Sequence, residues 1–404
     1  MIDSVTLLGS SSGRNAGDAA LISGIMEAVD AALARRVRYE IPTIKPSFVR
    51  SSYPNLVVPI SMLPWSLSLK MLGVPTWRSI CRTDLTLVFD AILFDRALYN
   101  PLFNFLSTLN LMFPAARRRG RLLGFYNVGA GPVTTPRGKE MLRRISDIAD
   151  FITVRDEDSL AILRDIGVTN PRLIVTADAA LNVTPSAPER VEAILRRVGI
   201  EPGEDVLAVN ISKYIDTWAG GGHEPLGWDR FVEMYAGALQ QVAAELKVPV
   251  LFIGTQHHDV PITEAIRSRL AGVRTALVTN IEYSHYDVQG VLGRVSLLFG
   301  MRLHATILAS SQLTPILALP HQPKVTHYFK TVGLEDRVLP FDRFSKASMV
   351  EHLLTGWQER GAIRAALEQH VPINKRRARK AADLIAALDR GENLDQTLIR
   401  LAAE

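Results

Sequence analysis

Short apolar runs recur along this chain, and almost every one is followed by an amphipathic stretch that begins at a turn. "SVTLLG" comes first. "LVVPI" (56–60), "DLTLVFDAILF" (84–94), "RLLGFYNVG" (121–129), "FITVR" (151–155) and "RLIVTAD" (172–178) follow. After Asp18, the apolar residues Leu21, Ile22, Ile25, Met26, Val29 and Leu33 fall on one helical face. Strands that alternate with helices in this way form parallel sheets, because the helices carry the chain back across the sheet and cover it.

The alternation pauses at "SAPERVEAILRRVGIEPGED" (186–205), which reads as a boundary helix and turn, and then restarts with "VLAVNIS", "PVLFIG", "RTALVT", "SLLFG" and "PILALP". Two successive α/β series predict two Rossmann-like domains facing a cleft, over residues 1–190 and 200–340. Residues 345–404 are expected as C-terminal helices, one of them carrying "NKRRARK" (374–380). In such folds ligands bind at the carboxyl ends of the strands. A chain of 404 residues suits two cores better than one.

The charge balance narrows the partners. Lys and Arg number 46 against 41 Asp and Glu, a net charge of +5. That excess favours an anionic substrate or surface and is too small to point to nucleic acid. The single cysteine, Cys81, excludes an intrachain disulfide and a cysteine zinc cluster, and fits a reducing cytoplasm. "MIDSVTLLG" enters a strand directly, so no signal peptide is expected, and no apolar stretch is long enough to predict a transmembrane helix.

Three turns are dense in polar groups. "GSSSGRNAGD" (9–18) joins the first strand to the first helix. Its glycines permit tight backbone geometry, and a helix N-terminus attracts anions. The spacing is not that of a dinucleotide fingerprint, and the lysine of a P-loop is absent. The structural alternative is an ordinary turn capped by Asp18. "FGMRLHATILASSQLTPILALPHQPKVTHYF" (299–329) places Arg302 and His304 at a helix start, then His321 and Lys324 after the next strand. Arginine binds phosphate or carboxylate bidentately, and histidine transfers protons near neutrality. In "ITVRDEDSLAILRDIGV" (152–168), Arg155 ends a strand, Asp156 is a candidate N-cap and Ser159 lies in the first helical turn; Asp178 is a similar strand-end residue.

Taken in order, G-x-x-x-G-x-N-x-G-D-x-A-x-L, R-D-E-D-S-L…L…G-V and R-L-H-A…A…P-I-L-A-L…P-K-V resemble the polysaccharide pyruvyl transferase family over roughly residues 5–335. The resemblance implies a fold similar to GT-B glycosyltransferases. It also implies phosphoenolpyruvate as donor and a hydroxyl pair on a cell-surface glycan or its lipid-linked precursor as acceptor, giving a cyclic pyruvate ketal. Asp90 and Ala91 stand where a Gly-Gly turn is expected from the resemblance.

Such a reaction needs cations for phosphate and carboxylate, and an acid to protonate the donor methylene. Donor binding is expected from Arg155, Ser159, Arg302, His304, His321 and Lys324, with His304 as the acid and Arg302 stabilising the departing phosphate. Acceptor contacts are expected in the first domain, from Ser11, Arg14, Asn15 and Asp90, with Asp18 orienting or deprotonating a hydroxyl. The scheme demands no metal and no cofactor. "ALYNPLFNFLSTLNLMFPAARRRGR" (97–121), with Trp65, suggests peripheral contact with the inner face of the membrane through Leu98, Phe103, Leu106, Leu111 and the Arg117–Arg121 cluster. A core helix with a solvated basic end is the alternative. The competing functions are a GT-B glycosyltransferase using a nucleotide-sugar and a non-catalytic glycan-binding protein.

Overall fold

A computed structural model describes residues 1–61, 73–90, 105–213, 226–320 and 322–403. The chain divides into two compact units. The first contains Met1–Gly13, Asp18–Val183 and Asn374–Glu404, and the second contains Arg14–Gly17 and Thr184–Ile373.

In the first unit β1 (Ser4–Leu8), β2 (Arg38–Thr43), β3 (Val57–Ser61), β4 (Leu85–Val88), β5 (Leu122–Val128), β6 (Phe151–Val154) and β7 (Leu173–Val175) form one sheet in the order β3-β2-β1-β4-β5-β6-β7. Every pairing is parallel. β1 and β4 are buried along their whole length, as central strands covered on both faces must be. The helix Ala16–Leu33 turns the predicted apolar face inward: Ile22, Ile25, Met26 and Val29 are fully buried. β2 is not among the expected strands. Its Glu40 and Pro42 break the apolar signature, and the buried Glu40 carboxylate is accommodated by Arg82 and the Ser79 hydroxyl, which bond it, and by an ion pair with Arg38.

The helix Phe105–Arg118 belongs to this unit's core. Leu106, Leu109, Phe113 and Ala116 pack with Val88, Phe125 and Ile152. Leu106 is therefore not a surface residue, whereas Leu111 is 56% exposed. The basic end is held to the protein: Arg117 pairs with Asp150 at 2.7 Å, Arg119 lies over the Trp77 ring, and Arg121 donates to the Cys81 carbonyl. Trp65, Leu98 and Phe103 lie outside the described residues. Among those described, no helix is long and apolar enough to cross a membrane.

In the second unit β8 (Leu207–Asn210), β9 (Val250–Gly254), β10 (Thr275–Thr279), β11 (Leu297–Gly300) and β12 (Ile316–Ala318) form a separate parallel sheet, ordered β10-β9-β8-β11-β12. The strands expected from the restarted pattern are all present, and among the described residues no sheet runs through both halves.

Residues 345–404, expected as a C-terminal segment of their own, are divided. The helix Arg360–Asp389 crosses from one unit's residues to the other's, and from Asn374 onward it packs in the first unit. There Asn127 donates to the Ala378 carbonyl at 2.9 Å, and Arg35 forms an ion pair with Asp389 at 2.8 Å. The change of unit falls at Val183–Thr184, ahead of the helix Pro188–Arg197 that was expected to mark it.

Candidate functional site

The order of the second sheet reverses between β8 and β11. Helices leave those two strands in opposite directions, so their carboxyl ends border a crevice where parallel sheets bind ligands. Asn210 closes β8 and ties three strand ends together. Its carbonyl accepts from Met301 N–H at 3.0 Å. Its side-chain oxygen accepts from Arg302 N–H at 3.1 Å, and its amide donates to the Ile253 carbonyl at 2.8 Å.

Arg302 is the N-cap of the helix Leu303–Ser310, immediately beyond β11. Its guanidinium turns to Asp259, with Nη2 donating to Oδ1 at 2.8 Å and Nε donating to Oδ2. Asp259 is fully buried and also accepts from Lys213 N–H at 3.0 Å. His304, in the first turn of the same helix, is 7% exposed.

Arg14–Gly17 meet this site although more than half of the chain separates them from it. Ala16 N–H donates to the Thr255 carbonyl at 2.8 Å, His257 N–H donates to the Arg14 carbonyl at 3.1 Å, and Asn15 forms an antiparallel bridge with Gln256. Gly17 then lies against the imidazole: a Cβ there would fall 2.2 Å from Nδ1 of His304. Only glycine permits that approach. The helix starts at Ala16, and the Asn15 side chain accepts from Gly17 N–H at 2.9 Å. Asn15 thus performs the capping expected of Asp18, which lies inside the first turn. Arg14 is exposed. Lys324 is half-buried near the start of the helix Pro323–Thr331, beyond β12 and so one strand over from Arg302. His321 lies outside the described residues.

The remaining candidates belong to the first unit, whose sheet reverses between β1 and β4. Gly9 follows β1, and a Cβ on it would fall 2.5 Å from the Phe89 ring that follows β4. Asp90 comes next, half-buried with φ +70°. The backbone there keeps the left-handed form that glycine favours, and aspartate is among the few residues that tolerate it. Ser11 is buried and its hydroxyl donates to the Pro42 carbonyl at 2.6 Å, fastening the turn to β2. Arg155, after β6, is 9% exposed, with Asp156 at 3.2 Å and Asp178 at 3.6 Å. Asp156 caps the next helix by accepting from Ser159 N–H at 2.8 Å, and the Ser159 hydroxyl accepts from Ala130 N–H at 3.0 Å.

The structure thus gathers Arg14, Asn15, Gly17, Arg302 and His304 in the second unit, with Lys324 one strand end away. It puts Ser11, Asp18, Asp90, Arg155 and Ser159 in the first. Asn210 and Asp259 were not foreseen. Each sits just beyond an apolar run, in "VLAVNIS" and "LFIGTQHHD", and that position was the available signal. Among the described residues, no three His, Cys, Asp or Glu side chains are grouped to hold a metal ion.

Solved structures share this architecture. A Listeria monocytogenes protein assigned as a UDP-N-acetylglucosamine 2-epimerase matches with a TM-score of 0.66 at 12% identity, covering 98% of both chains. The UDP-GlcNAc 2-epimerase of Neisseria meningitidis, solved with UDP-GlcNAc, matches at 0.60 and 13% identity over 98% of this chain and 99% of that one. Anabaena Alr3699/HepE, solved with UDP and glucose, matches at 0.55 and 11% identity over 100% and 99%. At such identities the likeness shows the fold alone: α/β, GT-B-like, with two Rossmann-like domains and C-terminal helices. No curated protein matches the sequence. The family model described as polysaccharide pyruvyl transferase matches residues 15–323, a stretch that begins at the helix-capping Asn15 and runs through Arg302 and His304 to the helix after β12; the chain belongs to the polysaccharide pyruvyl transferase family.

Proposed function

We propose that the protein transfers pyruvyl from phosphoenolpyruvate to a hydroxyl pair on a cell-surface polysaccharide or its lipid-linked precursor, forming a cyclic ketal and releasing phosphate. The observation that carries this reading is the meeting of Gly17 with His304 beside Arg302, at the switch point of a parallel sheet and within the span matched by the family.

His304 is the general acid. It protonates the donor methylene, C2 gains oxocarbenium character, and a sugar hydroxyl attacks C2. The C2–O bond to phosphate then breaks, and the second hydroxyl closes the ring. One hydroxyl proton replaces the one delivered to the methyl group, and the other leaves with phosphate or solvent. Arg302 meets the charge on the departing phosphate, aided by Lys324 and by the N–H groups that open the helix Leu303–Ser310. His321 joins the donor contacts, as do Arg155 and Ser159. Arg14, Asn15, Ser11 and Asp90 are assigned to the acceptor, with Asp18 orienting a hydroxyl. The protein works in the cytoplasm, where phosphoenolpyruvate is available.

The test is phosphate release from phosphoenolpyruvate in the presence of candidate glycans, alongside binding of phosphoenolpyruvate and of nucleotide-sugars. Phosphate release that depends on a glycan, with pyruvate retained on it as a ketal, is expected. Tight binding of a nucleotide-sugar without binding of phosphoenolpyruvate would transfer the assignment to glycosyl transfer. Glycan binding with neither donor would make the protein a non-catalytic member of its family.

A further inference from the structure

Asp259 has no role in the scheme above, yet it is fully buried and grips the residue assigned to the phosphate. We propose that Asp259 is a positioning residue: by holding the Nε–Nη2 edge of Arg302 it fixes the orientation of the guanidinium at the end of β11, where the donor phosphate is assigned. This rests on the assignment of Arg302 as a donor contact.

Three observations support it. The first is the cost of the pair. The Arg302 side chain is 13% exposed and Asp259 is 0% exposed. A buried ion pair is often no more stabilising than apolar side chains of the same volume, so packing alone is a poor reason for one here. The second is its place. Asp259 follows β9 and Arg302 follows β11, on either side of Asn210 at the end of β8, so the pair spans the carboxyl ends of the strands at the switch point. The third is that the support is itself fixed. Thr263 donates to the Asp259 carbonyl at 2.8 Å, and the Asp259 carboxylate accepts from Lys213 N–H at 3.0 Å. Asn210 holds the Arg302 backbone from the other side. Both ends of Arg302 are therefore set by buried groups before any ligand arrives, which is how a charged contact avoids reorganisation when charge develops.

The experiment is a double-mutant cycle on Asp259→Asn and Arg302→Lys. It is read as KM for phosphoenolpyruvate and kcat, and separately as calorimetric affinity for inorganic phosphate, which requires no turnover. Asparagine keeps an acceptor for Lys213 N–H and nearly the same volume, but removes the charge that orients Arg302. Asp259→Asn is expected to raise KM and weaken phosphate binding by about tenfold or more, the scale of losing an orienting partner, with a smaller effect on kcat. In the Arg302→Lys background the same change should add less than about twofold, because the fork on which Asp259 acts is gone. Asp259→Glu, which keeps the charge but displaces it by a methylene, should bind phosphate better than Asp259→Asn, and it carries the comparison if Asp259→Asn fails to fold. Wild-type affinity in Asp259→Asn, or full additivity in the double variant, overturns the proposal. A wild-type protein that binds phosphate but never consumes phosphoenolpyruvate would defeat the transferase reading alone, and the phosphate cycle would still decide Asp259. Binding of neither ligand overturns both.

Discussion

A methyl group at position 17 would collide with the His304 ring, since its carbon would lie 2.2 Å from Nδ1 and 2.3 Å from Cγ. The Gly17 backbone belongs to a helix start and has little freedom to retreat, so the imidazole must move instead. A misplacement of about 1 Å at a reacting group costs on the order of 100-fold in rate. Gly17→Ala is therefore expected to keep its fold by circular dichroism, bind phosphoenolpyruvate nearly as the wild type does, and lose turnover on that scale. His304→Gln should show the same division more strongly: donor affinity nearly intact and turnover down by about 10²–10⁴-fold, the span of general acid–base catalysis. If His304→Gln turned over at the wild-type rate, His304 would be a helix-start residue held for structure, and the proton would have to come from elsewhere. The polar residues of "GSSSGRNAGD" divide their work. Ser11 ties the turn to β2, Asn15 caps the helix, and Gly17 makes room for a histidine far along the chain. The cluster was legible as unusual, and because it and Arg302–His304 each follow an apolar strand, their facing one cleft was expected; that Gly17 itself is the residue against the imidazole was not, because nothing local marks which residue of a turn meets a partner so far along the chain.

At the scale of elements, strands buried on both faces announced themselves as apolar runs, and the exceptions have physical causes. β2 was hidden by Glu40, whose buried charge is met chiefly by Arg82, distant in sequence, with Arg38 of the same strand also in ion-pair range. The start of the helix His285–Leu292 shows a similar hidden arrangement with a measurable consequence. Ser284 and Asp287 form a capping box, and Asp287 also accepts from Arg190 and Ser186. Burial alone would raise the Asp287 carboxyl, but these hydrogen bonds more than offset it and hold it down at about 2. Burial of His285 pushes its imidazole down to about 3. Both groups bind protons more readily in the unfolded chain, so both make the fold less stable in acid: Asp287 by losing hydrogen bonds that favour its charged form, His285 because a buried imidazole resists the proton that the unfolded chain accepts. His285 acts first, from its unfolded value of 6.5 downward, and Asp287 only below 3.8. Stability should fall between pH 6.5 and 4 with a slope of up to about 1.4 kcal/mol per pH unit from this one histidine. In His285→Gln that slope should flatten, as chemical denaturation at several pH values will show. An unchanged slope would mean that His285 is already protonated in the folded protein. Asn15→Ala, by loss of a cap, should cost about 1 kcal/mol in the same assay.

For the whole molecule, the alternation of strands and helices foretold two sheets but not where the C-terminal helix would pack. The stretch from Asn374 onward carries an inward face of Ala378, Ala381, Ala382 and Ile385. Such a face identifies a helix that must be covered without identifying which sheet covers it. In the structure it joins the first unit, together with the helix Leu394–Ala403 and the ion pairs Arg35–Asp389 and Arg172–Asp395. The first unit is therefore completed only by the last residues of the chain, whereas Thr184–Ile373 contains the whole of the second sheet. Leu384, Ile385, Leu394, Leu398 and Leu401 are all buried. Side chains of this size contribute roughly 1.5–3 kcal/mol each on burial, so together they account for on the order of 10 kcal/mol, comparable with the total stability of a domain. A chain ended after Ile373 is accordingly expected to lose hydrogen-exchange protection across β1 to β7 while β8 to β12 keep most of theirs. Phosphate affinity should largely persist in that truncated chain if its contacts are Arg302 and Lys324, since both remain in the intact unit. Protection retained throughout β1–β7 after the truncation would show that the first unit is complete without its C-terminal helices, and that their packing there is a surface attachment rather than part of its core.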